Sequence, residues 1–331
     1  MARGIGAKVR WGILGPGSIA NSLAKGVAEL PDAELFAVGS RDKAKADIFA
    51  DKHGIPTRYG SYQELVDDPH VDVVYVATPH TFHAEHSILA LNAGKAVLCE
   101  KPFTINAAQL EKVVAVAREK KLFLMEAMWT RFFPAMAKLR ELIKGGAIGE
   151  VRMVQADFGF RTNVNPEGRL FDPALGGGAL LDVGVYTVSF AQMVLGTPDR
   201  VSGLATMGET NVDEQSAFVF GYPSGALAIL STAVRTNTPH IATVIGTEGR
   251  VTVPTSWWKP DRLILSRSGQ PDETIDLPAS QAGFVYEAEE VGKCLRAGKL
   301  ESEVMPLDES LAVMRTMDTL RAQWGLTYPM E

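Results

Sequence analysis

The alternation of apolar and polar positions changes character near residue 127. Before it, Val9–Leu14, Glu34–Gly39, Val71–Ala77, Ala96–Glu100 and Leu122–Glu126 are short apolar runs of the kind that form buried strands. Between them the spacing turns helical. Ile19, Leu23 and Val27 face one way in a segment that stops before Pro31, His83–Ala93 reads as a helix, and Asn106–Lys120 turns Ala107, Leu110, Val113, Val114 and Ala117 inward. Strands alternating with helices predict an α/β domain on a doubly wound parallel sheet, with ligands beyond the carboxyl ends of its strands. After residue 127 the strand pattern dominates, at Val151–Phe160, Arg200–Met207, Gln215–Tyr222, Ala226–Arg235, His240–Ile245 and Leu263–Ser266. Tyr222-Pro-Ser-Gly225 reads as a hairpin turn between two of these strands. The expectation is a first domain over residues 1–127 and a second, α+β domain over 128–331 built on a largely antiparallel open sheet. One face of that sheet would be covered by a helix over Gly178–Leu195, and a helix over Leu307–Arg321 would close the chain. An apolar second face would serve as a subunit interface, giving a homodimer or a tetramer.

Gly15-Pro16-Gly17-Ser18-Ile19-Ala20 follows the first strand and opens the first helix, matching GxGxxG/A in the required context. Gly15 permits a tight turn, Gly17 lets backbone approach a pyrophosphate, and Ala20 allows close helix–strand packing. Ser18 and Ile19 lie where helix N–H groups would face the phosphates. This is a Rossmann turn. The second strand ends in Ser40-Arg41, with Lys45 a turn further on, where NAD sites place an acid for the ribose 2′-hydroxyl. A hydroxyl, a guanidinium and an ammonium attract a 2′-phosphate, so NADP is the expected cofactor.

Thr78-Pro79-His80 and Glu100-Lys101-Pro102 sit at strand ends, which puts Thr78, His80, Glu100 and Lys101 beside the cofactor. His83 and His86, with His80, have a spacing that invites a metal, but no carboxylate or cysteine completes a closed site, so a cofactor-lining role is expected for His83 and no metal. In Asp182-Val-Gly-Val-Tyr186, helical register puts the Asp182 and Tyr186 side chains on one face, with Gly184 leaving room for a flat ligand. A phenol with an ordinary pKa near ~10 is a poor base at neutral pH, and a nearby ammonium lowers it. Lys101 is the candidate ammonium. Among the loop aromatics, Trp129 follows the last strand of the first domain and Trp258 lies in a Pro-bounded loop.

The bulk numbers narrow the partners. A net charge of −6 argues against nucleic acid or an anionic membrane surface. Cys99 and Cys294 lie far apart and suggest no disulfide framework. The start Met1–Lys8 lacks an apolar leader core, and no uninterrupted apolar run approaches membrane-spanning length, so a cytoplasmic location is expected.

Taken together, the glycine turn, Glu100-Lys101-Pro102 and the segment Gly176–Tyr186 resemble the glucose–fructose oxidoreductase, inositol dehydrogenase and MocA-type family, over essentially the whole chain. Glu126–Pro134 and Leu175–Tyr186 look like the dimeric dihydrodiol dehydrogenases and the NADP-dependent D-xylose dehydrogenases. The resemblance implies that Tyr186 is the acid/base, Lys101 its support, and Asp182 a substrate-orienting group. It also implies substrate-lining roles for Trp129, Phe160, Trp258 and Phe284, with Arg131 near the cofactor. The implied activity is hydride transfer between NADP and a hydroxyl carbon of a cyclic polyol, such as an aldose or a trans-dihydrodiol. The same fold also accommodates an NAD-dependent glycosidase acting by transient oxidation, or a non-enzymatic NADP sensor.

Overall fold

The computed structural model describes residues 8–331; the reading of the first seven residues lies outside them. The chain packs as two compact units. The first takes in residues up to Thr104, Ala108–Trp129 and Ser280–Ser310; the second takes in Ile105–Ala107, Thr130–Ala279 and Leu311–Glu331. Ser280–Ser310, which the sequence pattern leaves in the second domain, is thus part of the first unit.

The first unit is built from β1 (Val9–Leu14), α1 (Ala20–Ala28), β2 (Ala33–Gly39), α2 (Lys43–His53), β3 (Thr57–Tyr59), α3 (Tyr62–Asp67), β4 (Val73–Val76), α4 (His83–Asn92), β5 (Ala96–Glu100), α5 (Ala107–Lys120) and β6 (Leu124–Ala127). Its six strands are parallel, in the order β3-β2-β1-β4-β5-β6, so the chain reverses direction across the sheet between β1 and β4. That reversal opens a crevice at the strand carboxyl ends, where such sheets bind ligands. β4 and β5 are buried throughout, as strands covered on both faces must be. α1 is covered by the late helix α8 (Val285–Arg296), and Gly26 allows the approach: a Cβ there would stand 2.6 Å from the Val285 nitrogen.

The second unit contains α6 (Pro134–Lys144), β7 (Val151–Gly159), α7 (Val185–Leu195), β8 (Arg200–Met207), β9 (Asp213–Gly221), β10 (Leu227–Ala233), β11 (Ala242–Gly246), β12 (Gly249–Val253), β13 (Arg262–Arg267) and β14 (Glu273–Asp276). They form one eight-stranded sheet, β14-β13-β12-β11-β7-β10-β9-β8, antiparallel except where β10 runs beside β7. Gly225, at φ +82°, turns β9 into β10 as the Pro-Ser-Gly pattern predicts. α8 (Val285–Arg296) and α9 (Leu307–Trp324) complete the chain.

α7 lies on β7 and β10, and the strand residues beneath it, Val154, Ala156, Ala228 and Leu230, are buried. On the opposite face β8, β9 and β10 expose apolar side chains: Leu204 on β8 is 83% exposed, and Val219 on β9 and Leu227 and Ile229 on β10 stand open beside it. The stretch Pro173–Leu195 is, by length and composition, long and apolar enough to cross a membrane, although Asp182, Thr187, Ser189 and Gln192 interrupt it. Its apolarity goes into the core, with 83% of the most apolar window buried.

Candidate active site

In the first unit the glycine turn has the form a dinucleotide needs. Gly15 adopts φ +95°, and a Cβ there would meet Thr78 Cγ2 at 3.0 Å and the Ala77 carbonyl oxygen at 3.3 Å. Gly17, Ser18 and Ile19 are exposed, and no side chain caps the start of α1, so its N–H groups have no competing side-chain acceptor. A pyrophosphate fits that cradle on both steric and electrostatic grounds. Ile19 departs from expectation: it precedes the first turn of α1 and points outward, not into the core.

At the end of β2, the Ser40 hydroxyl accepts from the Asp42 N–H at 3.1 Å, and Asp42 in turn caps α2 by accepting from Ala44 N–H. The nearest acid is therefore committed to starting a helix. Arg41 is exposed, its guanidinium 5.7 Å over the Phe82 ring, and Lys45 is exposed and 3.8 Å from Asp42.

Thr78 lies against the glycine turn and its hydroxyl contacts His86 Nδ1 at 3.0 Å. His83 is wholly buried, with its ring nitrogens 2.8 Å from the Pro102 and Thr78 carbonyl oxygens. It ties the loop after β4 to the loop after β5 and does not line an open surface. Burial pushes His83 to about 4 against the pull of those carbonyls, and pushes His86 to about 4 with help from the charge of Arg41, so both rings are neutral near pH 7. His80 is half-buried and meets His83 edge-on. Among the described residues no group of three metal-ligating side chains converges.

Glu100 ends β5 buried. It accepts from the Tyr75 hydroxyl and, at 3.2 Å, from the Lys101 N–H. Lys101 itself is half-buried, before a cis peptide bond to Pro102. Trp129 and Phe284 stack with centroids 4.6 Å apart, which joins two of the predicted substrate-lining residues within this unit.

In the second unit Asp182 and Tyr186 are both buried, but the helix that carries them is not uniform. Residues Leu180–Gly184 form a π-helical turn that passes into α7. Such turns widen the backbone locally and concentrate at functional sites. Gly184 does not leave space for a ligand: a Cβ there would meet Leu180 Cδ1 at 3.0 Å and Thr232 Cγ2 at 3.4 Å, so it serves contact between the helical segment and β10. Asp182 Oδ1 accepts from Arg169 Nη1 at 2.8 Å; the Arg169 side chain is 60% exposed and the Asp182 side chain 7%. The Tyr186 ring lies 5.3 Å from Phe158, which stacks on Trp258 at 3.8 Å and 10°. Thr130 donates to the Trp258 carbonyl oxygen at 2.8 Å and holds that loop. Trp257, by contrast, is wholly buried and donates to the Asp157 carbonyl oxygen.

Arg131 is buried and donates to the hydroxyl and carbonyl oxygens of Ser189, so it fixes α7 one turn beyond Tyr186. Phe160 is half-buried just past the end of β7, two positions along the same face from Phe158. Sequence reading misses Phe158, Arg169 and His86 in these roles. The period of two would have paired Phe158 with Phe160; Arg169 sits in a loop without any periodic signal.

A glycine turn leading into a helix that no side chain caps, at the head of a doubly wound parallel sheet, defines a dinucleotide-binding protein, here with a second unit that carries a buried Asp and Tyr. Comparison with known proteins supplies the family. Residues 9–128 match the model of an oxidoreductase family with an NAD-binding Rossmann fold, and residues 136–252 match the GFO/IDH/MocA C-terminal domain. The chain belongs to the GFO/IDH/MocA family of NAD(P)-binding oxidoreductases. It is 39% identical over 332 residues to the human trans-1,2-dihydrobenzene-1,2-diol dehydrogenase, covering 98% of this chain and 99% of that one. The Xenopus tropicalis enzyme of the same name is 38% identical over 97% of this chain and 99% of its own. Among solved structures, an aldose-aldose oxidoreductase from Caulobacter crescentus complexed with glycerol superposes with a TM-score of 0.88 at 26% identity, covering 96% of this chain and 98% of that one. A 3-ketoreductase from Actinomadura kijaniata, in complex with NADP and TDP-benzene, gives 0.85 at 26% identity, with 95% and 97% covered.

Proposed function

We propose that the protein is an NADP-dependent dehydrogenase that oxidises a hydroxyl-bearing carbon of a cyclic polyol, either a sugar such as D-xylose or another aldose, or a trans-dihydrodiol. The observation that carries this reading is the buried pair Asp182 and Tyr186, with Tyr186 set beside the Phe158–Trp258 stack and Asp182 held by Arg169. A flat aromatic shelf suits the apolar face of a ring, and the polar pair suits its hydroxyl groups.

When bound, the nicotinamide supplies the hydride acceptor. Tyr186 takes the proton of the substrate hydroxyl as the C–H hydride leaves the same carbon, so the alcohol becomes a carbonyl and the phenolate a phenol. The family resemblance assigns the support of the phenolate to an ammonium, here Lys101. Asp182, fixed by Arg169, accepts from a neighbouring hydroxyl and orients the ring. Two observations support NADP over NAD: Arg41 and Lys45 stand exposed after β2, and Asp42, the acid of that segment, is engaged in capping α2.

The open face of the second sheet, with Leu204, Val219, Leu227 and Ile229 exposed, supports a homodimer in which a second copy covers it. The direct test of function is a spectrophotometric screen for NADPH formation over pentoses, hexoses, inositols and trans-dihydrodiols at mildly alkaline pH. Turnover of at least one class with NADP is expected. A protein that keeps its cofactor through purification and forms no net NADPH with any of them would overturn the reading.

A further inference from the structure

The helical segment that carries Asp182 and Tyr186 begins in an unusual way. Gly176, Gly177 and Gly178 precede it, and each of the last two is crowded where a side chain would stand. A Cβ on Gly177 would meet the Leu170 carbonyl at 2.9 Å; one on Gly178, at φ +117°, would lie 2.3 Å from Asp213 Oδ1. The glycines therefore let the loop that bears Arg169 fold onto the segment, with Gly178 N–H donating to the Leu170 carbonyl and Gly177 N–H to the Asp172 carbonyl. They also admit a wholly buried carboxyl. Asp213, the first residue of β9, accepts from the Leu180 N–H at 2.7 Å through Oδ2, while its Oδ1 has no hydrogen-bond partner. Tyr328 closes the arrangement from the C-terminal side by donating to the Gly177 carbonyl at 2.7 Å.

We propose that Asp213 is a positioning residue: its carboxyl closes the first turn of the segment that presents Asp182 and Tyr186, and ionisation of that carboxyl loosens the turn. The inference rests on the acid/base reading above for its consequence in catalysis, though not for its structural content.

The chemistry follows from the two oxygens. Oδ2 accepts from Leu180 in either charge state, more strongly as a carboxylate, so the cost of ionisation falls on the other oxygen. Oδ1 is buried and unpaired, so a proton there removes the cost of an unsolvated charge. The other ionisable groups that bear on Asp213 lie in the C-terminal segment: Arg321, whose Nη2 is bonded to both Glu331 oxygens at 2.6 and 2.8 Å and which stands 4.0 Å from Asp318, and Tyr328, buried under the Arg321 guanidinium. On β9 itself Glu214 faces Arg235. Burial pushes Asp213 up to about 7 and outweighs the backbone hydrogen bonds, that from Leu180 foremost, and the Arg321 charge, all of which favour the charged form. With the folded-state value raised from 3.8, the closed turn is favoured most in acid, weakens as pH rises towards 7, and is level above it.

The test uses the full chain and two substitutions, with amide hydrogen exchange of residues 178–186 and steady-state kinetics as readouts. In wild type, protection of this segment relative to Asp213→Asn at the same pH should fall about tenfold or more between pH 5 and pH 7.5. Asp213→Ala removes the Leu180 acceptor. It should lose the protection and cut kcat about tenfold or more by misplacing Asp182 and Tyr186, with NADP affinity within about twofold of wild type. Asp213→Asn keeps the acceptor and carries no charge, so it should restore kcat to within about threefold and show no pH trend of its own. Wild-type protection and kcat in Asp213→Ala, or the wild-type pH trend surviving in Asp213→Asn, would overturn the proposal. If Asp213→Ala is insoluble, the exchange comparison of wild type with Asp213→Asn decides alone. A parallel Tyr186→Phe variant separates the two readings: retained turnover there defeats the acid/base role, while the exchange result still judges Asp213.

Discussion

Gly178→Ala should be far more damaging than replacement of an ordinary left-handed glycine. Two costs add. An L residue forced to φ +117° costs about 1–3 kcal/mol. The new methyl would stand 2.3 Å from Asp213 Oδ1, so the carboxyl must swing away and release the Leu180 N–H inside the core, which costs about 1–3 kcal/mol more. A total of about 2–6 kcal/mol in a unit of about 170 residues lowers Tm by about 4–24 °C. Gly196 is the matched control. It follows α7 at φ +77° and ψ −162°, also a conformation that glycine alone adopts readily, and nothing lies within 4 Å of its would-be Cβ, so Gly196→Ala bears only the backbone cost of about 1–3 kcal/mol. The two variants should be melted side by side in a scanning calorimeter. If Gly178→Ala melts within about 2 °C of Gly196→Ala, the buried Asp213 carboxyl does not need the space the glycine provides.

Other outcomes follow from the same geometry. Ser40→Asp with Arg41→Ala should shift preference from NADP towards NAD in initial-rate assays, since it adds repulsion and removes the guanidinium; wild type that already uses NAD better at equal concentration would contradict the cofactor assignment. Leu204→Asp, on the open sheet face, should convert a dimer to a monomer by light scattering, and an unchanged dimer mass would place the interface elsewhere. Glu287 is wholly buried with neither carboxyl oxygen bonded, and burial together with the Glu100 charge holds it well above the usual carboxylate range. Its folded-state value is raised, so its contribution to stability is present in acid and is lost as pH rises through that value. Glu287→Gln should therefore melt above wild type by a margin that widens from pH 6 to pH 9; a constant gap would show that Glu287 does not titrate with folding.

What the sequence makes legible is local. The glycine turn, β1 and β5 coincide with their predicted residues because apolar runs bounded by turn residues carry their own boundaries, and β8 does so through its period-two alternation. Ser61 caps α3 by accepting from the Glu64 N–H, and the Glu64 carboxylate accepts in return from the Gly60 N–H, a pairing that Ser61-Tyr-Gln-Glu64 carries in the sequence. The site is legible only in part. Lys101, Asp182 and Tyr186 stand out through family resemblance, and Trp258 through its Pro-bounded loop. Arg169 and Asp213 are invisible because their partners lie 13 and 33 residues away, and the contacts exist only once the three glycines let backbone segments touch. The misreading of Gly184 has the same origin: a small residue signals close approach, and the sequence does not say whether ligand or strand approaches. Ser280–Ser310 goes to the first unit for a comparable reason, the bare face of Gly26 against Val285.

The central claim is that the Tyr186 phenol moves the proton. It is tested most directly by the NADP-dependent turnover of Tyr186→Phe on the best substrate from the screen. The substitution keeps the ring beside Phe158 and removes only the oxygen, so kcat should fall by ~10²-fold or more, with NADP affinity and Tm unchanged. Near-normal turnover would contradict the claim and leave Tyr186 as a packing residue.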